Sequence, residues 1–127
     1  MRKAVYTEGS SKGDGPYSQG IVSGGFVWVS GQGPLDPKTG AVVGGTIEEQ
    51  ARLTMDNIKG IVEAAGSTMD EVVKITVYLE RMSDFAAFNR VYQEYFSQPF
   101  PARTCVQAGL DDILVEIDAV AKIPDNA

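Results

Sequence analysis

The sequence lacks histidine altogether and contains a single cysteine, Cys105, among its 127 residues. Without histidine there is no Ser-His or Cys-His nucleophile pair, no histidine zinc site and no paired-histidine acid/base centre of the common ribonucleases. One cysteine cannot form an internal disulfide or a cysteine cluster that holds zinc or iron–sulfur. Any chemistry must therefore come from Arg, Lys, Tyr, Ser, Asp, Glu, backbone groups or that one thiol.

Basic charge and long apolar runs are also scarce. Lys plus Arg is 11 and Asp plus Glu is 17, so the formal net charge is −6. Such a surface repels a phosphate backbone, so we predict no nucleic-acid partner. No apolar run approaches the ~18–20 residues of a membrane span, and no apolar signal-peptide core follows Arg2 and Lys3. We therefore expect a cytoplasmic protein with a reduced thiol and no membrane partner.

The length suits one domain, which we predict to span residues 1–127. Period-two and helical patterns predict the order strand, strand, strand, helix, strand, helix, strand, strand. Thr46 and Glu49 have the spacing of a capping box at the start of the first helix, and Gly66 is placed to end it. An aromatic stripe over 85–96 marks the second helix, and we interpret it as core. The fold class is α+β, with a mixed sheet.

Two helices can cover only one face of such a sheet. The other face needs another cover, and in a chain of this size a second subunit is the expected one. The sequence therefore predicts a homo-oligomer.

Two strands near the end of the chain carry the strongest candidate site. Alternation puts Arg103 and Cys105 on one face of the strand 102–108, and it directs Glu116 and Asp118 to the helix-free face of the strand 113–121. If these strands pair as a hairpin through 109–112, Cys105 lies opposite Glu116, and Arg103 lies diagonal to it. A register one residue away separates them. The alternative interpretation is a purely structural Arg–carboxylate pair.

Loops and strand ends supply weaker candidates. Tyr17 follows Gly15-Pro16 in a loop, where it is either functional or a packed turn residue. Ser30-Gly31 ends a strand, and its glycine suits either close approach to a ligand or a simple bulge. Cys105 is more typical of a buried small hydrophobe than of a nucleophile. Asn89 lies off the aromatic stripe, either at the helix surface or in a buried polar contact.

Five segments, in order and at nearly the expected spacing between about Lys3 and Ala121, resemble the RidA/YjgF family. They are Gly15-Pro16-Tyr17-Ser18-Gln19, Val29-Ser30-Gly31-Gln32, Phe88-Asn89-Arg90-Val91-Tyr92, Pro101-Ala102-Arg103-Thr104-Cys105-Val106 and Val115-Glu116-Ile117-Asp118-Ala119-Val120-Ala121. The resemblance implies a chorismate-mutase-like fold and a homotrimer around a central β-barrel, with clefts between subunits. The turn 109–112 is shorter than is usual in the family. This difference leaves open the shape of the cleft rim and the identity of the substrate.

The resemblance also implies an activity. It is that of an enamine/imine deaminase, a hydrolase acting on C=N bonds of the 2-iminobutanoate/2-iminopropanoate deaminase type. The substrates are 2-aminoacrylate-type intermediates released by pyridoxal-phosphate enzymes, and the chain itself needs no cofactor and no metal. By position, Arg103 grips the substrate carboxylate and Glu116 is the acid/base residue. Tyr17, Ser30, Gly31 and Cys105 line the cleft, Cys105 through its backbone.

Besides a chaperone-like role, which leaves no signature in the sequence, two further functions stay open at this point. One is a metabolite-binding or regulatory trimer that uses the same clefts without turnover. The other is the ribonuclease or translation-inhibitor activity attached to parts of the family, which the −6 charge and the missing histidine disfavour.

Overall fold

The computed structural model describes residues 1–125 and organises them around one mixed six-stranded sheet. Residues 126 and 127 of the predicted domain lie outside the described residues. The strands are β1 (Lys3–Val5), β2 (Gly20–Ser23), β3 (Phe26–Gln32), β4 (Val72–Leu79), β5 (Ala102–Gln107) and β6 (Val115–Lys122). The helices are α1 (Ile47–Ala64) and α2 (Phe85–Tyr92), and single 3₁₀ turns occupy Met69–Glu71, Met82–Asp84 and Gln93–Tyr95. The predicted element order and the α+β class are confirmed.

Helix α1 begins and ends where the sequence predicts. The Thr46 hydroxyl accepts a hydrogen bond from the Glu49 amide at 3.1 Å, and the Glu49 carboxylate accepts from the Thr46 amide at 3.1 Å. This reciprocal pair is the predicted capping box. At the other end Gly66 has φ +89°, a left-handed conformation that glycine adopts without strain. Within residues 1–125, no helix combines the length and apolar character that a membrane crossing needs.

The core lies between the helices and one face of the sheet. Strand β6 shows why, because its residues alternate along the strand. Val115, Ile117 and Ala121 are fully buried and Ala119 nearly so, whereas Glu116 and Asp118 are only half-buried. Against the apolar face pack the largest buried side chains of the helices, which are Phe88, Met55, Ile58, Ile61, Val62 and Val91.

The predicted hairpin between the last two strands is wrong. The strand order is β1-β2-β3-β6-β4-β5, so β4 lies between β5 and β6. Strand β5 runs parallel to β4, with Cys105 opposite Val77 and Arg103 opposite Ile75. The segment 108–114 therefore crosses over the end of β4. It is attached there by the Ala108 amide, which donates to the Leu79 carbonyl at 2.9 Å.

The register separates the two residues that the hairpin would have joined. Arg103 shares a row with Ile75 and Ala119 on the helix-covered face, whereas Glu116 lies opposite Tyr78 on the other face. Side chains of residues paired directly across a sheet project from the same face. Arg103 and Glu116 of one chain therefore lie on opposite sides of the sheet.

That second face carries no helix, and we call it the open face. Its side chains include Trp28, which is 51% exposed, and Val106, which is 41% exposed. Other members come from the same rows of the sheet: Ile21, Phe26, Lys74, Thr76, Tyr78, Thr104, Glu116, Asp118 and Val120. The expectation that both helices cover one face is confirmed.

Candidate functional site

Arg103 is held at the sheet edge by one side of helix α2. Its Nη1 donates to the Asn89 Oδ1 at 2.8 Å. Its Cζ lies 4.8 Å from the ring centroid of Tyr92 and 5.5 Å from that of Phe85. Both rings are within the range of a cation–π contact. The guanidinium therefore lies against two aromatic rings, with one of its nitrogens held by an amide oxygen.

Sequence analysis missed this arrangement, although the signal was present. Phe85, Asn89 and Tyr92 are spaced i, i+4 and i+7, which puts them on one side of a helix. The aromatic stripe was interpreted as core alone, and Asn89 was set apart from it. Phe88 and Val91 do pack into the core, while Phe85 remains partly exposed beside Arg103. One helix thus serves both the core and the arginine.

A cavity of about 330 Å³ opens next to the guanidinium. Among residues 1–125, the Arg103 guanidinium forms no ion pair, and Asn89 is its one hydrogen-bond partner. The cavity is lined by Asn89, Tyr92, Gln93, Phe100, Pro101 and Arg103. An uncompensated guanidinium beside apolar walls is suited to bind a small carboxylate, because the planar fork donates two parallel hydrogen bonds.

Tyr92 contributes a neutral hydroxyl to this region. The hydroxyl oxygen is buried and has no hydrogen-bond partner among the described residues. Burial raises the pKa of Tyr92 to about 12, and the positive charge of Arg103 partly opposes that rise. The phenol therefore keeps its proton at neutral pH.

Cys105 lies on the same strand as Arg103, two residues further along. It is half-buried opposite Val77 and packs against the core. Burial raises the pKa of the Cys105 thiol, and Arg103 offsets this only in part. A protonated, half-buried thiol is a poor nucleophile. The contribution of the Cys105 backbone to a cleft stays a prediction.

Glu116 projects from the open face against a break in strand β3. The β3–β6 pairing is regular up to Val29 and resumes at Gln32, so Ser30 and Gly31 form a bulge. A β-carbon at position 31 would collide with the Glu116 carboxylate. Glycine at this position lets the carboxylate lie directly over the backbone, and any larger residue would displace the carboxylate.

Ser30 ties a loop to this bulge. Its hydroxyl donates to the Ser18 carbonyl at 2.6 Å, and its amide donates to the Gln19 carbonyl at 2.9 Å. The loop that carries Tyr17 is thereby fastened beside Gly31. We call Ser30, Gly31 and Glu116 the Glu116 site, and Arg103, Phe85, Asn89 and Tyr92 the Arg103 site.

The Glu116 carboxyl binds its proton more tightly than an ordinary glutamate does. Burial raises its pKa, and the neighbouring negative charge of Asp118 raises it further. Both causes disfavour the charged form of a carboxylic acid. A carboxyl with a raised pKa can exchange protons nearer to neutral pH, which is what general acid/base chemistry requires.

Tyr17 is not brought to either site by contacts within one chain. Its ring packs on the backbone of Gly13 and Gly15, where a β-carbon would collide with it. It is 49% exposed and lines a different cavity, together with residues of the turn 35–40. Its role in closing a cleft stays a prediction.

Apart from Tyr17, the structure thus assembles the predicted residues into two separate sites. Arg103 and Cys105 lie together on one side of the sheet, and Ser30, Gly31 and Glu116 lie together on the other. Over residues 1–125, no three acidic or cysteine side chains converge to hold a metal ion. These features define a small α+β protein whose sheet carries an arginine beside a cavity on one face and a half-buried carboxyl on the other.

Comparison with known proteins identifies this class. The model of the family described as Endoribonuclease L-PSP matches residues 8–123. The chain belongs to this family, which is the RidA/YjgF family. A RutC family protein of Pyrococcus horikoshii is 48% identical, the match covering 95% of this chain and 98% of the relative. A protein of Salmonella typhimurium named 2-iminobutanoate/2-iminopropanoate deaminase is 43% identical, with the same coverage of the two chains.

Solved structures agree with the fold. RidA from an Antarctic Psychrobacter superposes with a TM-score of 0.90 at 38% identity, covering 95% of this chain and 99% of the other. Escherichia coli TdcF with bound serine superposes with a TM-score of 0.89 at 36% identity, covering 96% and 99%. The fold predicted from the resemblance is confirmed at the level of the single chain.

Proposed function

We propose that this chain is an enamine/imine deaminase that converts 2-aminoacrylate-type intermediates into 2-keto acids and ammonia. The observation that carries the proposal is the Arg103 guanidinium, oriented by Asn89 and two rings and otherwise uncompensated, beside an apolar cavity. Support also comes from relatives 41–43% identical over 95% of the chain that are named 2-iminobutanoate/2-iminopropanoate deaminase. The intermediates are small carboxylates, as such a cavity requires.

The reaction makes modest demands on the protein. Arg103 binds the substrate carboxylate through two hydrogen bonds and so fixes the substrate plane. The enamine takes a proton at its terminal carbon, loses one from its nitrogen and becomes an imine. Glu116 removes a proton from the water as the water oxygen attacks the imine carbon, and it returns that proton to the nitrogen to give a carbinolamine. A second transfer through Glu116 moves the hydroxyl proton to the nitrogen as the carbonyl forms and the C–N bond breaks, which releases ammonia. One water is consumed, and positioning with proton transfer suffices without histidine, metal or cofactor.

The reacting site is proposed to lie between two copies of the chain. Arg103 and Glu116 of one chain are on opposite faces of the sheet, so one substrate cannot readily contact both. A homotrimer removes this difficulty, because Arg103 of one copy meets the Glu116 site of the next. Its central barrel buries the open face, including the half-exposed Trp28.

The activity is tested by adding the protein to a pyridoxal-phosphate serine dehydratase reaction and following pyruvate and ammonia release. We expect wild type to accelerate release, and Arg103→Ala to reduce that acceleration by at least about 100-fold. Arg103→Lys keeps the positive charge but loses the planar guanidinium that donates two parallel hydrogen bonds. We therefore expect its acceleration of release to stay well below that of wild type. Arg52→Ala is the matched control, since Arg52 donates two hydrogen bonds to the Glu94 carboxylate on the helix side of the molecule. Unchanged acceleration by Arg103→Ala would contradict the proposal.

The shared site is tested by combining two inactive variants. Arg103→Ala and Glu116→Gln are co-expressed so that mixed trimers form. A cleft is then intact whenever Arg103 comes from one variant and Glu116 from the other, so about a quarter of wild-type activity should return. A site within one chain would give no recovery. Tight binding of imine analogues with no turnover at all would instead favour the metabolite-binding alternative.

A further inference from the structure

Glu116 shares the open face with a second carboxylate. Asp118 follows it by two residues on β6, so both side chains project from the same side of the sheet. Two residues along a strand correspond to a Cα separation of about 7 Å. Both side chains are half-buried, a setting in which like charges are less screened than in open water.

Asp118 is anchored across the sheet by Tyr78. The Tyr78 hydroxyl donates to the Asp118 Oδ2 at 3.1 Å. Tyr78 is the direct cross-strand neighbour of Glu116, and Thr76 is that of Asp118. The phenol therefore reaches diagonally from the row of Glu116 to Asp118. The Asp118 charge, chiefly, raises the pKa of Tyr78, so the phenol keeps the proton that it donates.

We propose that Asp118, held by the Tyr78 hydroxyl on the same face of the sheet as Glu116, is a positioning residue that acts through its negative charge on the Glu116 carboxyl. The proposal deepens the proposed function, on which its catalytic consequence rests. Asp118 touches no reacting atom in it and acts only through Glu116. Because a raised proton affinity brings the carboxyl closer to working pH, the pair improves its use as an acid and base.

The other groups around Glu116 do not supply the same effect. Strand β3 faces it with Ser30 and Gly31, neither of which is charged. On β4, Lys74 lies two rows beyond Tyr78, and its Nζ donates to the Thr104 hydroxyl of β5 at 2.8 Å.

Two further cations, Lys122 and Arg103, complete the charged groups to be considered around Glu116. Lys122, at the far end of β6, packs over the Phe26 ring. Arg103 of the same chain is on the opposite face, while in the proposed trimer the neighbouring copy's Arg103 would favour ionised Glu116. Both cations are present in every variant, so comparison of variants isolates Asp118.

The direct test is a carbon-13 NMR titration of the glutamate side-chain carboxyls, with Glu116 assigned by its loss in Glu116→Gln. We expect Asp118→Asn to lower the Glu116 midpoint by about one pH unit, since it removes the like charge and preserves the side-chain shape. Tyr78→Phe should lower it by less, because Asp118 keeps its charge but loses its anchor. An unchanged or raised midpoint in Asp118→Asn would overturn the proposal.

A second tyrosine–aspartate pair in the chain provides matched controls. The Tyr95 hydroxyl donates to the Asp56 Oδ1 at 2.8 Å on the helix side of the molecule. Asp56→Asn and Tyr95→Phe make the same chemical changes there and should leave the Glu116 midpoint where it is in wild type. A shift of the same size in these variants would mean that overall charge is responsible, and the positioning role would be rejected.

The kinetic test uses the pH dependence of kcat/KM in the deaminase assay. Since Glu116 acts on water as a base, activity rises with pH through its pKa, and Asp118→Asn should move this acidic limb to lower pH by the same amount. The titration needs no turnover, so it distinguishes the two failures. A shifted midpoint without any deaminase activity rejects the proposed function and retains the positioning pair.

Discussion

The two faces of the sheet differ in polarity and in burial, although the same strands form both. On the helix-covered face the β6 side chains are apolar and closed off from solvent, and their size is fixed by close packing. On the open face the alternate residues of the same strand are charged or only half-buried, and Asp118 among them accepts a hydrogen bond from Tyr78. The covered face therefore determines the stability of the fold, whereas the open face determines which molecules can pack against the sheet.

The largest effect is expected on the covered face. Ile117→Ala should reduce the free energy of unfolding by about 3 kcal/mol, because Ile117 is fully buried and the deleted methyl groups leave a cavity. Urea unfolding followed by circular dichroism measures the loss. Val120→Ala, three residues along on the open face, is the matched comparison and should cost under about 1 kcal/mol at protein concentrations where single chains dominate. Equal losses would contradict the contrast between the faces.

A smaller effect on the single chain, but a large one on assembly, is expected at Trp28. Trp28→Glu puts a charge where the proposed trimer buries a ring, while in the single chain that ring is already half-exposed. Sedimentation velocity should find wild type near about 41 kDa, three times 13.6 kDa, and the variant at the mass of one chain. Its circular dichroism should stay that of wild type. Wild type sedimenting as one chain would reject the assembly.

The smallest effect is expected at the start of α1. Thr46→Ala removes the hydroxyl that accepts from the Glu49 amide and should cost about 1 kcal/mol. Thr46→Ser keeps a capping oxygen and should restore most of this loss. Because the cap lies on the helix side, the Glu116 titration should be unaffected by either change. A shift of that titration would mean that the two faces are coupled.

Much of the fold could be predicted because its signals are local. The capping box, the glycine that ends α1 and the alternation along β6 each depend on residues within a few positions of one another. The covered and open faces of β6 were likewise assigned correctly from alternation alone. The strand order was not, because a short loop between two strands reads as a hairpin until the parallel pairing with β4 is known.

The same error limited the prediction of the site. Residue types and alternation were enough to select Arg103 and Glu116. They could not establish that these residues lie on opposite faces, since this depends on which strand separates β5 from β6. The hydrogen bond from Arg103 to Asn89 was missed for a related reason. It joins a helix to a strand 14 positions away, and no local pattern records such a contact.

Two elements of the fold contribute different properties to the Arg103 site. The edge strand β5 carries the charge, whereas α2 sets the orientation of the guanidinium through Phe85, Asn89 and Tyr92. In the proposed deaminase, substitutions in the helix alone would therefore change the angle at which Arg103 binds the substrate carboxylate. A library confined to Phe85 and Asn89, neither of them among the fully buried core residues, would explore new substrates while leaving the sheet untouched.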